Sequence, residues 1–354
     1  MAFRLRARHV MAMWAAGAVF LASPNVLAAE SEAQQLIADP PQYELGQGLR
    51  LGNSGFTLGG YTSLQYEDVR NSPSQGGLSH LSMFVWWEGE SRVKFFSEID
   101  NQDSLAADDQ ASDDSGRFLS IERLYFEYAF DDALSIRLGK FLTPIGRWNQ
   151  IHADPLVWTT SRPLITVNMF PEHASGGMLL GNVDVLGHRA DYMLYASTGT
   201  DVRKDPAENP FNEAFGARLN FPVGQNLQWG LSVASFDQTA NVEEHEMLLG
   251  TDFVWASHGF ELSGEGIYRR SSLGAGRDAH GGFLQGVVPL YGKLFGVGRI
   301  EDIHNPAMQE DARLVVLGLN YRQSRALSLK LELIRGVGQD ITAPGVLTSV
   351  SVLF

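Results

Sequence analysis

Histidine, serine and lysine are the residues of this chain that could carry catalysis, but their spacing matches no familiar catalytic pattern. No His-x-x-x-His helix and no Gly-x-Ser-x-Gly turn is present. Gly139 and Lys140 precede Phe141 instead of Ser or Thr, so they do not form a phosphate-binding P-loop. The chain has no cysteine, which excludes disulfides, thiolate metal sites and c-type haem attachment. We therefore predict a protein that is not an enzyme and holds no cofactor or metal. The histidines beyond the first 28 residues are scattered: His80, His152, His173, His188, His245, His258, His280 and His304.

Charged residues recur along segments of alternating polarity, on the face opposite to the apolar residues. Such charges could form ion pairs that brace a wall, or they could create a transverse field that filters solutes. The sequence does not separate these two roles. The basic candidates are Arg92, Lys94, Arg123, Arg137, Arg189, Arg218, Arg269 and Lys330, and the acidic ones are Glu98, Glu127, Asp191, Glu261, Glu265 and Glu332.

The elements that must position these charges are β-strands of about ten residues, as in a barrel with one face on lipid and the other on water. Closure is required, because an open sheet edge in hydrocarbon would leave its amides and carbonyls unpaired. Tight and long connections alternate, which predicts short periplasmic turns, long external loops and periplasmic termini. We predict strands near 56–68, 78–88, 91–101, 118–130, 134–141, 176–185, 188–199, 213–221, 227–238, 245–256, 260–271, 279–289, 293–302, 312–322, 326–337 and 344–354, sixteen in all.

The two ends of the chain indicate export. Residues 1–28 combine three arginines, a short apolar run and small residues before the cut, which is typical of a cleaved signal peptide. Residues 29–55 are expected to be a periplasmic N-terminal extension, and 56–354 the barrel. The last segment, VLTSVSVLF, alternates and ends on Phe354, as terminal strands of bacterial outer-membrane barrels do. The net charge of −14 argues against nucleic acid as a partner.

The longest connection, from about Leu142 to Ser175, is too rich in apolar residues to be disordered. It should pack against the barrel interior, as an inward-folded third external loop that narrows a channel. An anion site there is a hypothesis. The candidates for the constriction are Arg137, Lys140, Arg147, His152, Asp154 and Arg162.

Residues 100–116 form an acidic stretch, DNQDSLAADDQASDDSG. Its spacing does not match the aspartate-rich calcium loop that has a glycine at its sixth position. It reads as a solvated external loop, or alternatively as a site where divalent cations bridge to lipopolysaccharide or collect at the channel mouth.

The stretch RLGKFLTPIGRW resembles the phosphate-selective porin O/P family, whose members commonly carry Gly-Lys-Phe-x-x-Pro-x-Gly at this place. The match consists of Gly139, Lys140, Phe141, Pro144 and Gly146. The resemblance implies a trimeric outer-membrane porin for passive diffusion, with some members selecting anions through basic residues at a constriction. The acidic composition and the lack of a dense arginine ladder support the porin part better than the phosphate part.

Together these features predict an all-β, closed antiparallel transmembrane barrel of about sixteen strands. Its expected function is passive diffusion of small hydrophilic solutes or ions, with anions such as phosphate as one option. Outer-membrane lipid and lipopolysaccharide are its expected partners, and a homotrimer its expected assembly. Two alternatives remain: a barrel sheath for another outer-membrane complex such as an electron-transfer conduit, and an outer-membrane enzyme.

Overall fold

A computed structural model describes residues 40–70, 72–102, 118–151, 153–185, 187–199, 201–204, 208–307, 310–337 and 344–354. The expected signal peptide and most of the acidic stretch 100–116 lie outside these residues. A short hairpin, β1 (Gln42–Glu44) and β2 (Gly48–Arg50), precedes the barrel and pairs with its first strand. The barrel strands are β3 (Phe56–Val69), β4 (Gln75–Glu88), β5 (Val93–Gln102), β6 (Phe118–Asp131), β7 (Leu134–Leu142), β8 (His173–Val185), β9 (His188–Ser197), β10 (Phe211–Val223), β11 (Leu227–Gln238), β12 (Asn241–Ser257), β13 (Phe260–Ser271), β14 (Ala279–Tyr291), β15 (Leu294–Asn305), β16 (Glu310–Arg322), β17 (Leu327–Val337) and β18 (Gly345–Leu353).

These sixteen strands form one closed antiparallel barrel, as the alternating pattern predicts. Each strand pairs with its neighbour in the chain, and β18 returns to β3 in a register from Gly345 opposite Val69 to Leu353 opposite Tyr61. The backbone of Phe354 extends this closure through two hydrogen bonds with Gly60, of 2.8 and 2.9 Å. No strand of the barrel is therefore left with an unpaired edge.

The polarity of the wall is inverted relative to that of a water-soluble protein. On β17, Leu329, Leu331 and Leu333 point outward and are 41%, 42% and 55% exposed, whereas Lys330 and Glu332 point inward and are 4% and 1% exposed. The same alternation recurs around the barrel, so that leucine, valine and aromatic side chains cover its outside. An apolar outer band around a polar lumen is the arrangement that a lipid surround favours.

The two ends of the barrel differ in the length of their connections. One end, called here the short-turn end, carries brief turns such as 132–133, 258–259 and 292–293. The opposite end, called the long-connection end, carries the connections 103–117, 143–172 and 198–210, although β11 and β12 are joined there by residues 239–240 alone. Strand β12 thus begins at Asn241, four residues before the predicted start, because this turn is tight.

None of the helices in the described part of the chain has both the length and the apolar composition that a transmembrane helix requires.

Candidate functional site: the lumen and the segment that crosses it

Residues 143–172, called here the crossing segment, connect β7 to β8. The segment contains two 3₁₀ turns, Trp148–Gln150 and Asp154–Leu156, and one short helix, α1 (Leu164–Asn168). Its two ends are fastened together, since the Thr143 hydroxyl donates to the Pro171 carbonyl at 2.8 Å. The Asn149 amide donates to the carbonyls of Thr143 and Glu172 at 2.9 and 3.0 Å. The segment therefore leaves the wall as a loop with a narrow, hydrogen-bonded base.

Three inward-facing carboxylates on alternate strands hold the backbone of the crossing segment. Glu265 on β13 accepts hydrogen bonds from the backbone N–H groups of Arg147 and Trp148, at 2.8 and 2.5 Å. Glu301 on β15 accepts the N–H of Leu164 at 2.7 Å. Because these strands are remote from β7 and β8 in the sheet order, the segment reaches across to a different part of the wall.

Glu332 on β17 provides the third and most extensive attachment. It accepts hydrogen bonds from the backbone N–H of Thr160, from the N–H of Ser161 at 3.2 Å and from the Ser161 hydroxyl at 2.7 Å. The Thr160 hydroxyl also contacts the Ser349 hydroxyl on β18 at 2.8 Å. A buried carboxylate with several charge-assisted hydrogen bonds is a strong and directional anchor.

Basic side chains of the same part of the wall bind the oxygens of the segment. Lys330 donates to the carbonyls of Asp154 and Thr159, at 2.7 and 3.0 Å. Arg299 donates to the hydroxyls of Thr159 and Ser161, at 2.6 and 2.8 Å, and pairs with Glu301 at 2.7 Å. Lys330 and Arg299 therefore use their hydrogen-bond donors to bind the crossing segment.

Apolar side chains complete the attachment. Ile145, Ile165, Met169 and Phe170 of the crossing segment are buried in one cluster with inward-facing wall residues, among them Phe283. Trp148 packs edge-on against Phe283, with the two ring centroids 6.0 Å apart. The apolar side chains of this connection therefore pack against these wall residues.

Gly146 is required at the start of the crossing segment. Its φ of 65° lies in the left-handed region, which favours glycine. A Cβ at this position would also lie 2.2 Å from an oxygen of Glu265. The glycine therefore permits the close approach of backbone and carboxylate that begins the crossing.

Of the six residues predicted for the constriction, the five that the structure describes have different partners. Arg137 pairs with Glu127 at 2.7 Å, and Lys140 pairs at 2.8 Å with Asp201, in the connection after β9. Arg162 makes two hydrogen bonds to Glu172, of 2.6 and 2.8 Å. His152 lies outside the described residues.

Arg147 and Asp154 are the remaining two constriction candidates. The Arg147 side chain points towards Gln228, at a donor–acceptor distance of 3.4 Å, and burial lowers its pKa. For comparison, burial also opposes the charge of Arg162, but the neighbouring Glu172 raises its pKa above the ordinary value. Asp154 is buried, and one of its carboxylate oxygens has no hydrogen-bond partner among the described residues.

Several of the charged residues predicted for the lumen lie in ion pairs on the inner face of the wall. Arg123 pairs with Glu98 at 2.5 Å and Arg218 with Asp252 at 2.6 Å. Arg269 lies 3.0 Å from Glu246. Within the described residues, these cations are paired with carboxylates, so the bracing role proposed for them has direct geometric support.

Three basic residues expected on the lumen wall lie at its short-turn margin. The prediction for Arg92 is wrong, because β5 begins at Val93 and Arg92 lies in the preceding turn, where it donates to the Phe130 carbonyl. Lys94 pairs with Glu88 at 3.1 Å at the same end. Arg189 is exposed there and pairs with Asp132 at 3.2 Å.

An open cavity of about 410 Å³, called here the vestibule, lies between the crossing segment and the long-connection end. Carboxylates outnumber guanidinium groups in its lining. His173 lies there between two of these carboxylates, 2.9 Å from each. The carboxylates are Glu122, Glu172, Glu208, Glu244 and Glu246, and the guanidinium groups are those of Arg162 and Arg269.

Sequence reasoning missed Arg299 and Glu301, which hold the middle of the crossing segment. An available signal was their spacing, because residues two apart on a strand face the same side. Within the part of the chain that the structure describes, no group of three or more acidic or histidine side chains is placed to hold a metal ion.

No protein-family model matches the chain. An uncharacterised protein of Aquifex aeolicus (strain VF5) is 27% identical over 194 residues, which are 50% of this chain. The match covers 43% of that relative, so the chain spans less than half of its length.

Several solved structures match the barrel over most of its length. An anion-selective porin from Comamonas acidovorans matches with a TM-score of 0.57 and 15% identity, over 84% of this chain and 99% of that one. OmpF of Salmonella typhi, in complex with daunomycin, matches with a TM-score of 0.63 and 8% identity, over 85% and 99%. OmpT of Vibrio cholerae in its trimer form matches with a TM-score of 0.57 and 8% identity, over 84% and 99%.

The fold is that of the solved porins. At these identities the likeness concerns the fold alone, and the resemblance to the phosphate-selective O/P family stays a prediction.

Proposed function

We propose that this protein is an outer-membrane porin, a passive diffusion channel for small hydrophilic solutes or ions. The observation that carries the proposal is the inverted polarity of the barrel wall, with apolar side chains outside and ion pairs inside. A sixteen-stranded barrel is wide enough to enclose water, unlike an eight-stranded one. We assign the lumen a role as a conduit and not as a catalytic site.

The crossing segment is the proposed constriction. Its hydrogen bonds to β13, β15, β17 and β18 hold it against one part of the wall. We therefore expect solutes to pass through the remaining part of the lumen. Its apolar cluster fills part of the cross-section, so we expect a narrow channel with a low conductance for a sixteen-stranded barrel.

We propose a preference for cations over anions. An anion site needs a cation that is free to bind it. Arg137, Lys140 and Arg162 are each paired with a carboxylate, and among the described residues Arg147 is the one basic constriction candidate whose side chain contacts a neutral group instead, the Gln228 amide at 3.4 Å. Lys330 is bound to carbonyls of the crossing segment. In the described part of the vestibule five carboxylates face four cationic partners, Arg162, Arg269, Arg277 and His173. The balance is one carboxylate in excess at the long-connection end, and such a field attracts cations.

The expected setting of the channel is a Gram-negative outer membrane, reached by a cleaved signal peptide, with the long connections outside and lipopolysaccharide around them. A homotrimer is the proposed assembly, supported by a structural neighbour that is a trimer. Mass measurement of the purified protein in detergent tests it, and a monomeric mass with full channel activity would overturn it.

Planar-bilayer recording and liposome swelling test the channel itself. The purified protein should give discrete conductance steps and should admit small neutral sugars while excluding larger ones. A folded protein that inserts but gives neither conductance nor swelling would contradict the proposal.

A further inference from the structure

Three side chains on the outer face of the barrel form a relay that the channel does not use. The Ser235 hydroxyl lies 2.7 Å from Nε2 of His245, and Nδ1 of the same histidine lies 2.7 Å from a carboxylate oxygen of Asp237. Nucleophile, base and orienting carboxylate in this order constitute the arrangement of a serine hydrolase, which is recognised by geometry and not by sequence position. The sequence search found no catalytic spacing because these residues come from two strands.

The hairpin of β11 and β12 brings the three residues together. Ser235 and Asp237 are two apart on β11 and face the same side, and the two-residue connection 239–240 returns the chain so that His245 on β12 lies beside them. The backbone of His245 is fixed on its other side by Ser272, which donates to its carbonyl at 2.8 Å and accepts its N–H at 2.9 Å. The relay is therefore built on paired strands and not on a mobile loop.

The relay faces outward at the margin of the apolar belt. His245 and Asp237 have side-chain exposures of 54% and 23%, so water and substrate can reach the imidazole. Val233 and Met247, which adjoin Ser235 on the same face, are 49% and 59% exposed. A nucleophile in this position meets the boundary between the lipid chains and the polar surroundings at the long-connection end.

An apolar trough lies on the wall formed by β11 to β16, further towards the short-turn end than the relay. It has a volume of about 810 Å³ and is lined by outward-facing side chains that include Leu231, Leu249, Tyr268 and Leu284. Leu231 lies four residues from Ser235 along β11, about 13 Å at the usual rise of a strand. A long fatty-acyl chain whose distal end lies in this trough would span that distance and place its ester group at Ser235.

One arginine on the same face is suited to an anionic head group. Ser235 is opposite Met247 in the sheet register, and Met247 is opposite Arg270. Arg270 is exposed, and within the described residues its guanidinium group makes no hydrogen bond or ion pair. A guanidinium group binds phosphate in a bidentate manner.

We propose that Ser235, His245 and Asp237 form a second active site, which hydrolyses acyl-ester lipids at the outer face of the barrel. Ser235 Oγ attacks the ester carbonyl carbon while His245 Nε2 takes its proton, and the resulting tetrahedral intermediate expels the alkoxide, which receives that proton from His245. Water, activated by the same histidine, then cleaves the acyl-serine and releases the fatty acid. Asp237 is a positioning residue that orients the imidazole and stabilises its charged form.

The site rests on the proposed function only in that the outer membrane supplies the lipid. Hydrolysis in mixed micelles does not require conduction, and conduction does not require Ser235. The two proposals can therefore fail separately in one set of preparations.

The test measures hydrolysis of a long-chain nitrophenyl ester and of a diacyl phospholipid by the full chain, purified and folded in mixed micelles. A phosphonylating serine probe, followed by peptide mass spectrometry, identifies the labelled residue. We expect labelling at Ser235, and we expect Ser235→Ala to reduce both rates to that of micelles without protein. Asp237→Asn should lower kcat by about 10²- to 10⁴-fold with little change in KM. Arg270→Gln should raise KM for the phospholipid but not for the neutral ester.

A matched control is present at the opposite end of the barrel. Ser257 Oγ lies 2.8 Å from Nδ1 of His258, but this exposed pair has no carboxylate in ion-pairing contact within the described residues. Ser257→Ala should keep full hydrolysis, and both serine variants should keep the conductance that reports a folded barrel. Hydrolysis that persists in Ser235→Ala, or a conducting wild-type protein that neither hydrolyses the esters nor reacts with the probe, would overturn the proposal.

Discussion

The attachment of the crossing segment to β17 offers a sharp test of its role, through Glu332→Gln. Glu332 is 1% exposed and accepts three hydrogen bonds from Thr160 and Ser161. Glutamine keeps the size of the side chain and one acceptor oxygen, but it places an NH₂ group where the second oxygen met the N–H and hydroxyl of Ser161. The substitution therefore removes the charge and two of the hydrogen bonds.

The expected magnitude follows from the cost of hydrogen bonds to charged groups. Each contributes about 1.5–3 kcal/mol. With the two lost bonds taken at the lower end of that range, the attachment should weaken by about 3 kcal/mol. At about 1.4 kcal/mol for each factor of ten, the detached state should become about 100-fold more populated. The other anchors, Glu265 and Glu301, should keep the remainder of the segment in place.

Hydrogen–deuterium exchange in detergent micelles measures this directly. The amides of Thr160 and Ser161 should exchange about 100-fold faster in Glu332→Gln, while the wall amides of β17 keep their protection. Single-channel records should show a noisier open state. The matched control is Glu261→Gln, a partly exposed lumen carboxylate at the short-turn end that should leave both properties unchanged. Equal exchange at Thr160 and Ser161 in the wild type and in Glu332→Gln would refute the clamping role.

Three further predictions concern the wall, the start of the crossing segment and the vestibule. Arg218→Met leaves the buried Asp252 without its cation and should lower the free energy of unfolding by about 3–5 kcal/mol; denaturant titration measures this, and an unchanged midpoint would contradict it. Gly146→Ala forces a left-handed alanine and a clash with Glu265, costing at least about 1–2 kcal/mol, and should accelerate amide exchange throughout the crossing segment. Glu208 is buried, which raises its pKa, but the neighbouring His173 imidazolium lowers that pKa below the ordinary value for glutamate overall. Its charge is present above that lowered pKa and lost as the pH falls through it, so the cation preference should persist from about pH 7 through the ordinary titration range of glutamate and weaken only at lower pH; reversal potentials across this range provide the check.

The barrel was predictable from sequence because its physical signal is local. Alternation such as Leu329–Lys330–Leu331 identifies both the strand and the side of the wall that each residue faces. The even number of strands then follows from antiparallel closure. Predicted starts agree with the structure after the tight turns before Leu134, His188 and Phe260, whereas β12 starts at Asn241, four residues before its predicted start.

The partners of the charged residues were not predictable, because the closed barrel sets them. Glu332 meets Ser161 across 171 positions of the chain, and neither residue type nor spacing indicates that contact. The relay of Ser235, Asp237 and His245 was predictable from the sequence only in part. Its two-residue spacing and the tight turn that follows were visible, but a search for linear catalytic motifs does not join residues across a hairpin.

The reversal potential of the purified channel under a potassium chloride gradient tests the central claim most directly. In the proposed water-filled barrel, Arg137, Lys140 and Arg162 are paired with carboxylates and Lys330 is bound to carbonyls, with an acidic vestibule at one end. The potential should therefore shift towards the equilibrium potential of potassium. A shift towards that of chloride, or an inserted barrel that passes no current, would contradict the account.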